Sequence, residues 1–196
     1  MNKEQKSVGV YIGRFQPMHF GHVSVIKEAL LSNKYKHIIF MIGSADKSNT
    51  PKNPFTYAER KQLISNIFQN IIFENKIENV KLSIFSVCDL IYDNNKWINA
   101  IQKNVSEVTS SDDEIYLLGA DKDESTSYLK YFPQYKPDFT DLFLTKKEEH
   151  KNRVYLDATD IRNVFIDKKY TQFNKNVDNA LVELKKDFSD KLPNET

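Results

Sequence analysis

Cysteine is almost absent from this sequence of 196 residues, and so is any excess of charge. The single cysteine, Cys88, excludes an internal disulfide and a metal site built from several thiolates, and a reducing compartment fits such a chain best. Lysine and arginine number 28 against 27 aspartate and glutamate residues, so the net charge is +1. This balance argues against a protein that wraps nucleic acid or another polyanion.

Long apolar runs are missing as well. The N-terminal residues MNKEQKS are polar and lack the apolar core of a signal peptide, and no apolar run approaches the roughly 18 residues of a membrane span. We therefore expect a cytoplasmic protein. Because 40% of the residues are hydrophobic and 28% are charged, we expect an ordinary globular core. The length predicts one domain over 1–196, with its core at about 8–167 and a C-terminal helical segment at about 168–190.

Apolar runs alternate with helical patterns along the chain. Strands are predicted at 8–13, 37–44, 80–87, 114–120 and 141–145. Helices are predicted at 20–31, 96–107, 159–167 and 174–188, and a further helix starts after the capping box Thr56-Tyr-Ala-Glu59. This alternation predicts an α/β layered sheet that is mostly parallel.

Small residues lie at the ends of three of the predicted strands. Gly13 ends the first strand, Gly43 and Ser44 end the second, and Gly119 lies near the end of the fourth. Open parallel sheets bind their ligands at the carboxyl ends of the strands, where the strand order reverses. Because small residues let a ligand approach the backbone closely, we expect a binding site at this edge.

Two histidines lie three positions apart where the first loop enters a helix. On helical geometry His19 and His22 share a face, beside a helix N-terminus whose N–H groups favour an anion. Such a pair also suits a metal, although no third ligand is evident, and histidines at a helix start are often ordinary polar residues. Because GRFQP comes directly before them, we interpret the pair, together with Arg14, as a phosphate site without a glycine-rich P-loop.

The stretch GRFQPMHFGH at 13–22 resembles the H-x-G-H signature of the nucleotidylyltransferase superfamily. Its GRFQP form is similar to the nicotinamide mononucleotide (NMN) adenylyltransferases of the archaeal type and to their bacterial relatives fused to a Nudix domain. Further blocks resemble the same family in the same order, namely GSADKSNTPKNPFTYAER (43–60), NNKW (94–97), GADKDESTSYLKYFPQY (119–135) and LDATDIR (156–162). Together the blocks span about 8–165, which is nearly the whole chain.

This resemblance implies a Rossmann-like, doubly wound sheet of five mostly parallel strands with C-terminal helices. It implies transfer of AMP from ATP to the 5′-phosphate of NMN, which yields NAD and pyrophosphate without a covalent enzyme intermediate. Mg²⁺ would arrive on the ATP phosphates, and no fixed protein ligands for a metal are implied. No nucleic acid or membrane partner is expected, and a homo-oligomer is left open.

Roles for individual residues follow from the resemblance. His19, His22 and Arg162 are implied to hold the reacting phosphates and to form the catalytic group. The implied ATP-binding residues are Gly13, Arg14, Phe15, Gly21, Gly119, Lys122, Asp123, Thr159, Asp160 and Ile161. The implied NMN-binding residues are Gln16, Asn53, Phe55, Arg60, Asn94 and Trp97. Within the last group, Trp97 would stack on the pyridine ring and Asn94 would bond the carboxamide.

Several of these residues also fit ordinary roles. Trp97 fits a core residue that anchors a helix to the sheet, and Arg60 fits a salt bridge on a helix face. Simple surface or capping roles fit the remaining cases, which are Arg162, Thr159, Lys122 and Asp123.

The sequence departs from the family pattern in two places. Asp157 stands where the superfamily often has serine, which puts one hydroxyl contact in doubt and adds a negative charge close to the phosphates. The acidic pattern of a Nudix hydrolase does not occur, so we expect the second activity of the fused relatives to be absent.

Other functions compete with this interpretation. An adenylyl- or cytidylyltransferase for another small phosphate usually begins with G-x-F-D-P and often carries threonine at the first histidine, so Gln16 and His19 argue against it. A catalytically silent NMN or NAD sensor would be signalled by loss of His22 or Arg162, and both are present. A plain dinucleotide-binding domain would carry G-x-G-x-x-G, which is missing. The choice between NMN and its deamidated acid form is left open.

Overall fold

A computed structural model describes residues 6–89, 93–120, 130–140 and 162 of the protein. Strands and helices alternate through the described part of the chain, as the sequence predicts. The strands are β1 (Ser7–Gly13), β2 (His37–Ile42), β3 (Lys81–Ser86), β4 (Glu114–Ala120) and β5 (Lys136–Thr140). The helices are α1 (Phe20–Leu31), α2 (Tyr57–Asn75) and α3 (Asn94–Ser106).

The five strands form one parallel sheet in the order β3-β2-β1-β4-β5. From β1 the chain builds outward through β2 and β3, and it then crosses to the other side of β1 to add β4 and β5. The strand order therefore reverses between β1 and β4, as in doubly wound folds. This arrangement confirms the predicted fold class and places the expected crevice at the carboxyl end of β1.

The core lies on both faces of the sheet. Alternate residues of β1 point to opposite faces, so Tyr11 packs with α1 and α2 while Val10 and Ile12 pack with α3. All six residues of β2 are buried, because this strand is covered by helices on both sides. Two apolar layers thus hold the central strands, and their carboxyl ends become a rigid platform.

Local sequence signals set the starts of two helices. Thr56 caps α2, since its side chain accepts a hydrogen bond from the Glu59 N–H and Glu59 accepts one from the Thr56 N–H. This is the capping box that the sequence predicts. Helix α1 begins at Phe20, directly after His19, so the H-x-G-H segment forms the helix entrance.

The fifth strand lies earlier than the sequence indicates. The predicted strand at 141–145 falls outside the described residues, whereas β5 occupies 136–140, whose sequence KPDFT has no apolar pattern. A sheet edge tolerates such a sequence, because a proline there need not donate to a second neighbour. Polar contacts hold β5, including the salt bridge from Lys136 to Glu114 and the contacts of Asp138 with Lys34 and Tyr35. The helices predicted at 159–167 and 174–188 also lie outside the described residues, apart from Arg162.

Within the described ranges, no helix is both long and apolar enough to cross a membrane.

His37, the first residue of β2, makes the free energy of unfolding depend on pH. Burial, with a smaller contribution from the neighbouring Lys81, lowers the pKa of His37 to about 4. The imidazole is 5% exposed and lies 2.8 Å from the Ser83 hydroxyl oxygen, through Nε2. Between about pH 6.5 and pH 4 the unfolded chain binds a proton that the folded protein rejects, so the free energy of unfolding falls as the pH falls through this window.

We expect the wild type to lose about 2 kcal/mol more stability than His37→Gln between pH 7 and pH 5. Glutamine can still bond Ser83 but does not titrate. Urea unfolding of both proteins at the two pH values measures the difference, and parallel pH profiles would show that His37 is not the titrating group.

Candidate active site

The loop that follows β1 is joined to the loop before α2 by a side-chain amide. Gln16 is 2% exposed; its Nε2 donates to the Phe55 carbonyl at 2.8 Å, and its Oε1 accepts from the Phe55 N–H at 3.0 Å. The amide therefore pairs with the Phe55 backbone as a neighbouring strand would. From the sequence we expected Gln16 and Phe55 to contact NMN. In the structure they bond each other, and these bonds are buried.

Phe15 packs under this loop in a strained backbone conformation. Its φ angle is +50°, which is uncommon for a bulky residue. Its ring packs edge-on against Tyr11 and His22, with ring centroids 5.4 and 5.0 Å apart. A Cβ on Gly13 would lie 2.8 Å from the Phe15 Cζ, so Gly13 leaves room for this ring. From the sequence we expected a ligand to lie against Gly13. In the structure the Phe15 ring fills the space on the side where a Cβ would be.

The rings of the two histidines lie close together at the entrance of α1, tilted by 38° to each other. His19 is the residue directly before the helix and is buried, whereas His22 is half-buried. Their ring centroids are 3.7 Å apart. The His19 backbone N–H donates to His22 Nδ1 at 3.2 Å. Nδ1 therefore acts as an acceptor, which leaves the neutral ring its hydrogen on Nε2. Gly21 makes room for this pair, since a Cβ there would lie 3.2 Å from His19 Cε1.

Arg162 reaches the same loop from far along the chain. Its Nη1 donates to the Gln16 carbonyl at 2.6 Å, and the side chain is 8% exposed. The fold thus brings the three predicted catalytic residues, His19, His22 and Arg162, to the carboxyl end of β1.

A polar cluster that the sequence analysis missed joins the loop after β2 to the segment after β3. The Asp89 carboxylate accepts hydrogen bonds from the Ser44 hydroxyl at 2.8 Å and from Lys47 Nζ at 2.9 Å. Burial alone would raise the pKa of Asp89, but the bonds from Lys47 and Ser44 hold it below its usual value. The signal for Asp89 was its place just after a predicted strand, at the carboxyl edge of the sheet.

Arg60 lies beneath the two strand-end loops, whereas the sequence analysis expected it at the border of the NMN site. It is 1% exposed, and its guanidinium donates to backbone carbonyls in both loops. Burial lowers its pKa to about 10, so the group stays protonated at neutral pH.

Asn53 is also buried, at 5% exposure. Its backbone N–H donates to the Thr50 carbonyl at 3.0 Å, which folds the loop before α2 into a tight turn. Its Oδ1 meets no donor among the residues that the structure describes. A buried oxygen of this kind is costly unless a donor reaches it.

The predicted pyridine-binding residues lie in the first turn of α3. Asn94 is exposed at the start of the helix, and Asp93 caps that start by accepting from the Lys96 N–H at 2.9 Å. Trp97 is half-buried against the apolar layer under α3, with its ring centroid 5.9 Å from that of Phe132. Because a crossover helix starts where the preceding parallel strand ends, this turn lies at the carboxyl edge of the sheet.

The other predicted residues divide between the edge of the sheet and the undescribed part of the chain. Arg14 is exposed after β1. Gly119 lies in β4, where a Cβ would lie 3.2 Å from the Phe139 ring. The residues outside the described part are Lys122, Asp123, Thr159, Asp160 and Ile161.

Known proteins resemble this chain in sequence. Residues 10–164 match the cytidylyltransferase-like family. A nicotinamide/nicotinic acid mononucleotide adenylyltransferase of Acinetobacter baylyi is 34% identical over 126 residues, which are 64% of this chain and 62% of the relative. A nicotinamide-nucleotide adenylyltransferase of Methanococcus aeolicus is 55% identical over 53 residues, which are 27% of this chain and 30% of the relative.

Solved structures resemble the fold. A bifunctional NMN adenylyltransferase/ADP ribose pyrophosphatase from Francisella tularensis has a TM-score of 0.68 at 28% identity, covering 95% of this chain and 50% of that chain. A structure of such a bifunctional protein from the same organism, complexed with AMP and a manganese ion, has a TM-score of 0.63 at 26% identity, covering 93% and 50%. The chain therefore spans less than two thirds of the length of these relatives.

The pairing of Gln16 with Phe55 should contribute strongly to stability. Gln16→Leu keeps the size of the side chain but leaves the buried N–H and carbonyl of Phe55 unpaired, so we expect a loss of about 2–5 kcal/mol. Gln62→Leu, at an exposed glutamine of α2, serves as the control and should change stability by less than about 0.5 kcal/mol. Denaturant unfolding measures both, and equal effects would mean that the amide does not hold the loops.

Proposed function

The chain belongs to the cytidylyltransferase-like family, and from that premise we propose that it transfers AMP from ATP to NMN. An oxygen of the NMN 5′-phosphate would attack the α-phosphorus of ATP and form a new P–O bond. The bond from the α-phosphorus to the bridging oxygen of the β-phosphate would break, and pyrophosphate would leave with that electron pair. The products are NAD and pyrophosphate, and no bond to the protein forms.

The convergence of His19, His22 and Arg162 on one loop carries this proposal. The loop lies at the carboxyl end of the central strand, beside the reversal of strand order, where doubly wound sheets bind nucleotides. Imidazole and guanidinium groups donate hydrogen bonds to phosphate oxygens, and the N-terminus of α1 adds backbone N–H groups to the same place. Such donors stabilise charge on a leaving pyrophosphate without a nucleophilic side chain.

His22 has the orientation that a phosphate contact requires. The His19 N–H donates to its Nδ1, and this bond fixes the orientation of the ring and therefore the direction of the Nε2 hydrogen. We assign this donor to the α-phosphate. Arg162 would bind the β- and γ-phosphates, because a guanidinium carries further donors beside the one that holds Gln16.

A divalent cation would enter on the nucleotide. The similar Francisella structure contains AMP and a manganese ion. In the described part of this chain, no three His, Cys, Asp or Glu side chains form a group that could hold a metal. The donors on the β1 loop are imidazoles and guanidinium groups, and Mg²⁺ prefers oxygen ligands. These residues do not fit a fixed Mg²⁺ site, and we assign no step to a protein-bound metal.

The NMN side of the site would include Asn94, Trp97 and Asn53. An indole face favours a cationic pyridine ring by about 0.5–2 kcal/mol, and Asn94 can both donate to and accept from a carboxamide. The buried Oδ1 of Asn53 supports a contact with a donor such as a sugar hydroxyl of the bound nucleotide. ATP and NMN are metabolites of the cytoplasm, and a cytoplasmic location is part of this proposal.

The cations near the NMN side already have partners, which supports a preference for the neutral amide over the acid form. Lys47 pairs with Asp89 at 2.9 Å, Lys96 pairs with Asp93 at 3.1 Å, and Arg60 bonds backbone carbonyls. Each of these charges is already engaged, so a carboxylate on the pyridine ring would find weaker compensation than a carboxamide.

The purified protein with ATP and Mg²⁺ should form NAD from NMN and pyrophosphate in equal amounts. We expect kcat/KM for NMN to exceed that for the deamidated acid form by about tenfold or more, which corresponds to about 1.4 kcal/mol. Parallel assays of the two substrates at fixed ATP measure the ratio. Formation of neither dinucleotide would refute the proposed function, and a preference for the acid form would refute the role of Asn94.

Substitution of His22 should affect turnover far more than folding. His22→Ala removes a donor to the charge that develops in the transition state, so we expect kcat to fall about 100-fold or more, or roughly 2.7–4 kcal/mol. Thermal unfolding of the same preparation checks that the variant is folded. A variant that keeps more than a third of the wild-type kcat would contradict the assignment of His22.

A further inference from the structure

Arg60 is among the largest fully buried side chains of the described residues. It is the fourth residue of α2, and its Nε donates to the Thr56 carbonyl at 3.2 Å in the cap of its own helix. Nη1 donates to the carbonyls of both Arg14 and Gly43 at 2.7 Å, and Nη2 donates to the carbonyl of Ser44 at 3.1 Å. One side chain thus contacts the loop after β1, the loop after β2 and the start of α2.

These contacts begin where the sheet ends. The last backbone bond between β1 and β2 runs from the Gly43 N–H to the Gly13 carbonyl at 2.9 Å. Beyond it, the carbonyls of Arg14 and Gly43 converge on the same point. Two acceptors cannot bond each other, so only a donor placed between them joins the loops. The Nη1 group of Arg60 is that donor.

Stability alone does not account for an arginine here. The guanidinium donates to the neutral carbonyls of Thr56, Arg14, Gly43 and Ser44, and within the described ranges no carboxylate forms a salt bridge with it. A buried charge in this setting carries a large desolvation cost, which no opposite charge offsets by direct pairing within the described ranges. The property that an apolar residue cannot replace is the planar fork of five donors, which fixes several acceptors at set distances.

The two loops that Arg60 joins have different tasks in the proposed reaction. The loop with Arg14 leads to His19 and His22, on the ATP side. The loop with Gly43 and Ser44 leads to Asn53, on the NMN side. We propose that Arg60 is a positioning residue, which touches neither substrate and sets the distance between the two loops so that the NMN phosphate meets the α-phosphorus in line. This inference rests on the proposed function.

Loss of this link should separate binding from turnover. Each loop keeps its own ligand contacts when Arg60 is replaced, so the dissociation constants of ATP and NMN should change little. The reaction needs both substrates in register, and a misplacement of about 1 Å costs about 10²-fold in rate. A residue that only stabilises the fold would lower the fraction of folded protein and leave kcat per folded molecule unchanged.

Two variants and one control test the inference. Arg60→Lys keeps the charge and loses the fork, and Arg60→Met keeps the volume and loses both. Thr56→Ala weakens the cap of the same helix, because its hydroxyl accepts from the Glu59 N–H, but it retains the Thr56 carbonyl that Arg60 bonds. All three are compared with the wild type for kcat, for substrate affinity by calorimetry with ATP and NMN separately, and for folded fraction.

We expect Arg60→Lys to lower kcat by about 10- to 100-fold, with each dissociation constant within about threefold of the wild-type value. Thr56→Ala should keep the wild-type kcat per folded molecule. A lysine variant with kcat within threefold of the wild type would overturn the inference, because charge alone would then suffice. Equal losses of kcat in Thr56→Ala would also overturn it, because the effect would then follow helix stability.

A measurement without substrates separates this inference from the proposed function. The Gly43 amide should exchange its hydrogen faster in Arg60→Lys than in Thr56→Ala under conditions where the two have equal global stability. If the wild type forms no NAD, the proposed function fails, and the assigned role in the reaction fails with it, whatever the exchange result. If the wild type is active and the Gly43 amide is equally protected in both variants, the proposed function stands and the positioning role is refuted.

Discussion

The structure around the site depends on one constraint, which is that the backbone of the β1 loop lies beyond the reach of the sheet. Within the described residues no neighbouring strand pairs with the carbonyls of Arg14 and Gln16, and side chains from distant segments bond them instead. Arg60 bonds the carbonyl of Arg14, Arg162 bonds that of Gln16, and the Gln16 amide pairs with the backbone of Phe55. Tertiary contacts therefore hold the loop at Arg14 and at Gln16.

A loop held in this way prepares its histidines before any ligand binds. Phe15 takes a left-handed backbone conformation so that its ring fills the space beside Gly13 and supports His22. Strain of this kind persists only where the surrounding structure determines it, and it is concentrated at functional sites. Because the His19 N–H fixes the orientation of the His22 ring, the proposed phosphate donor needs no reorganisation when a nucleotide arrives.

Arg60 is a buried cation, and it also serves to hold the β1 loop in place. A guanidinium among neutral carbonyls carries a desolvation cost, but it joins three segments with one rigid group. The polar cluster of Ser44, Lys47 and Asp89 extends the same arrangement toward β3. The carboxyl edge of the sheet is thus built from polar contacts, whereas the interior below it is apolar.

Sequence alone determined the elements whose signals are local. The period of apolar residues predicted α1 at its observed bounds, and the Thr56 capping box predicted the start of α2. Apolar runs predicted β1, β2 and β4, and an alternating pattern at 80–87 predicted β3. The H-x-G-H spacing also placed both histidines on one helix entrance. Other features required tertiary structure, because their causes lie in partners far along the chain. KPDFT becomes a strand only through its neighbour β4, Gly13 is needed for a ring two residues away that turns back on it, and Gln16 and Arg60 bond backbone groups that no local pattern reveals. The sequence specifies which side chains are available, but only the tertiary structure determines which carbonyl each of them bonds, because it brings distant segments together.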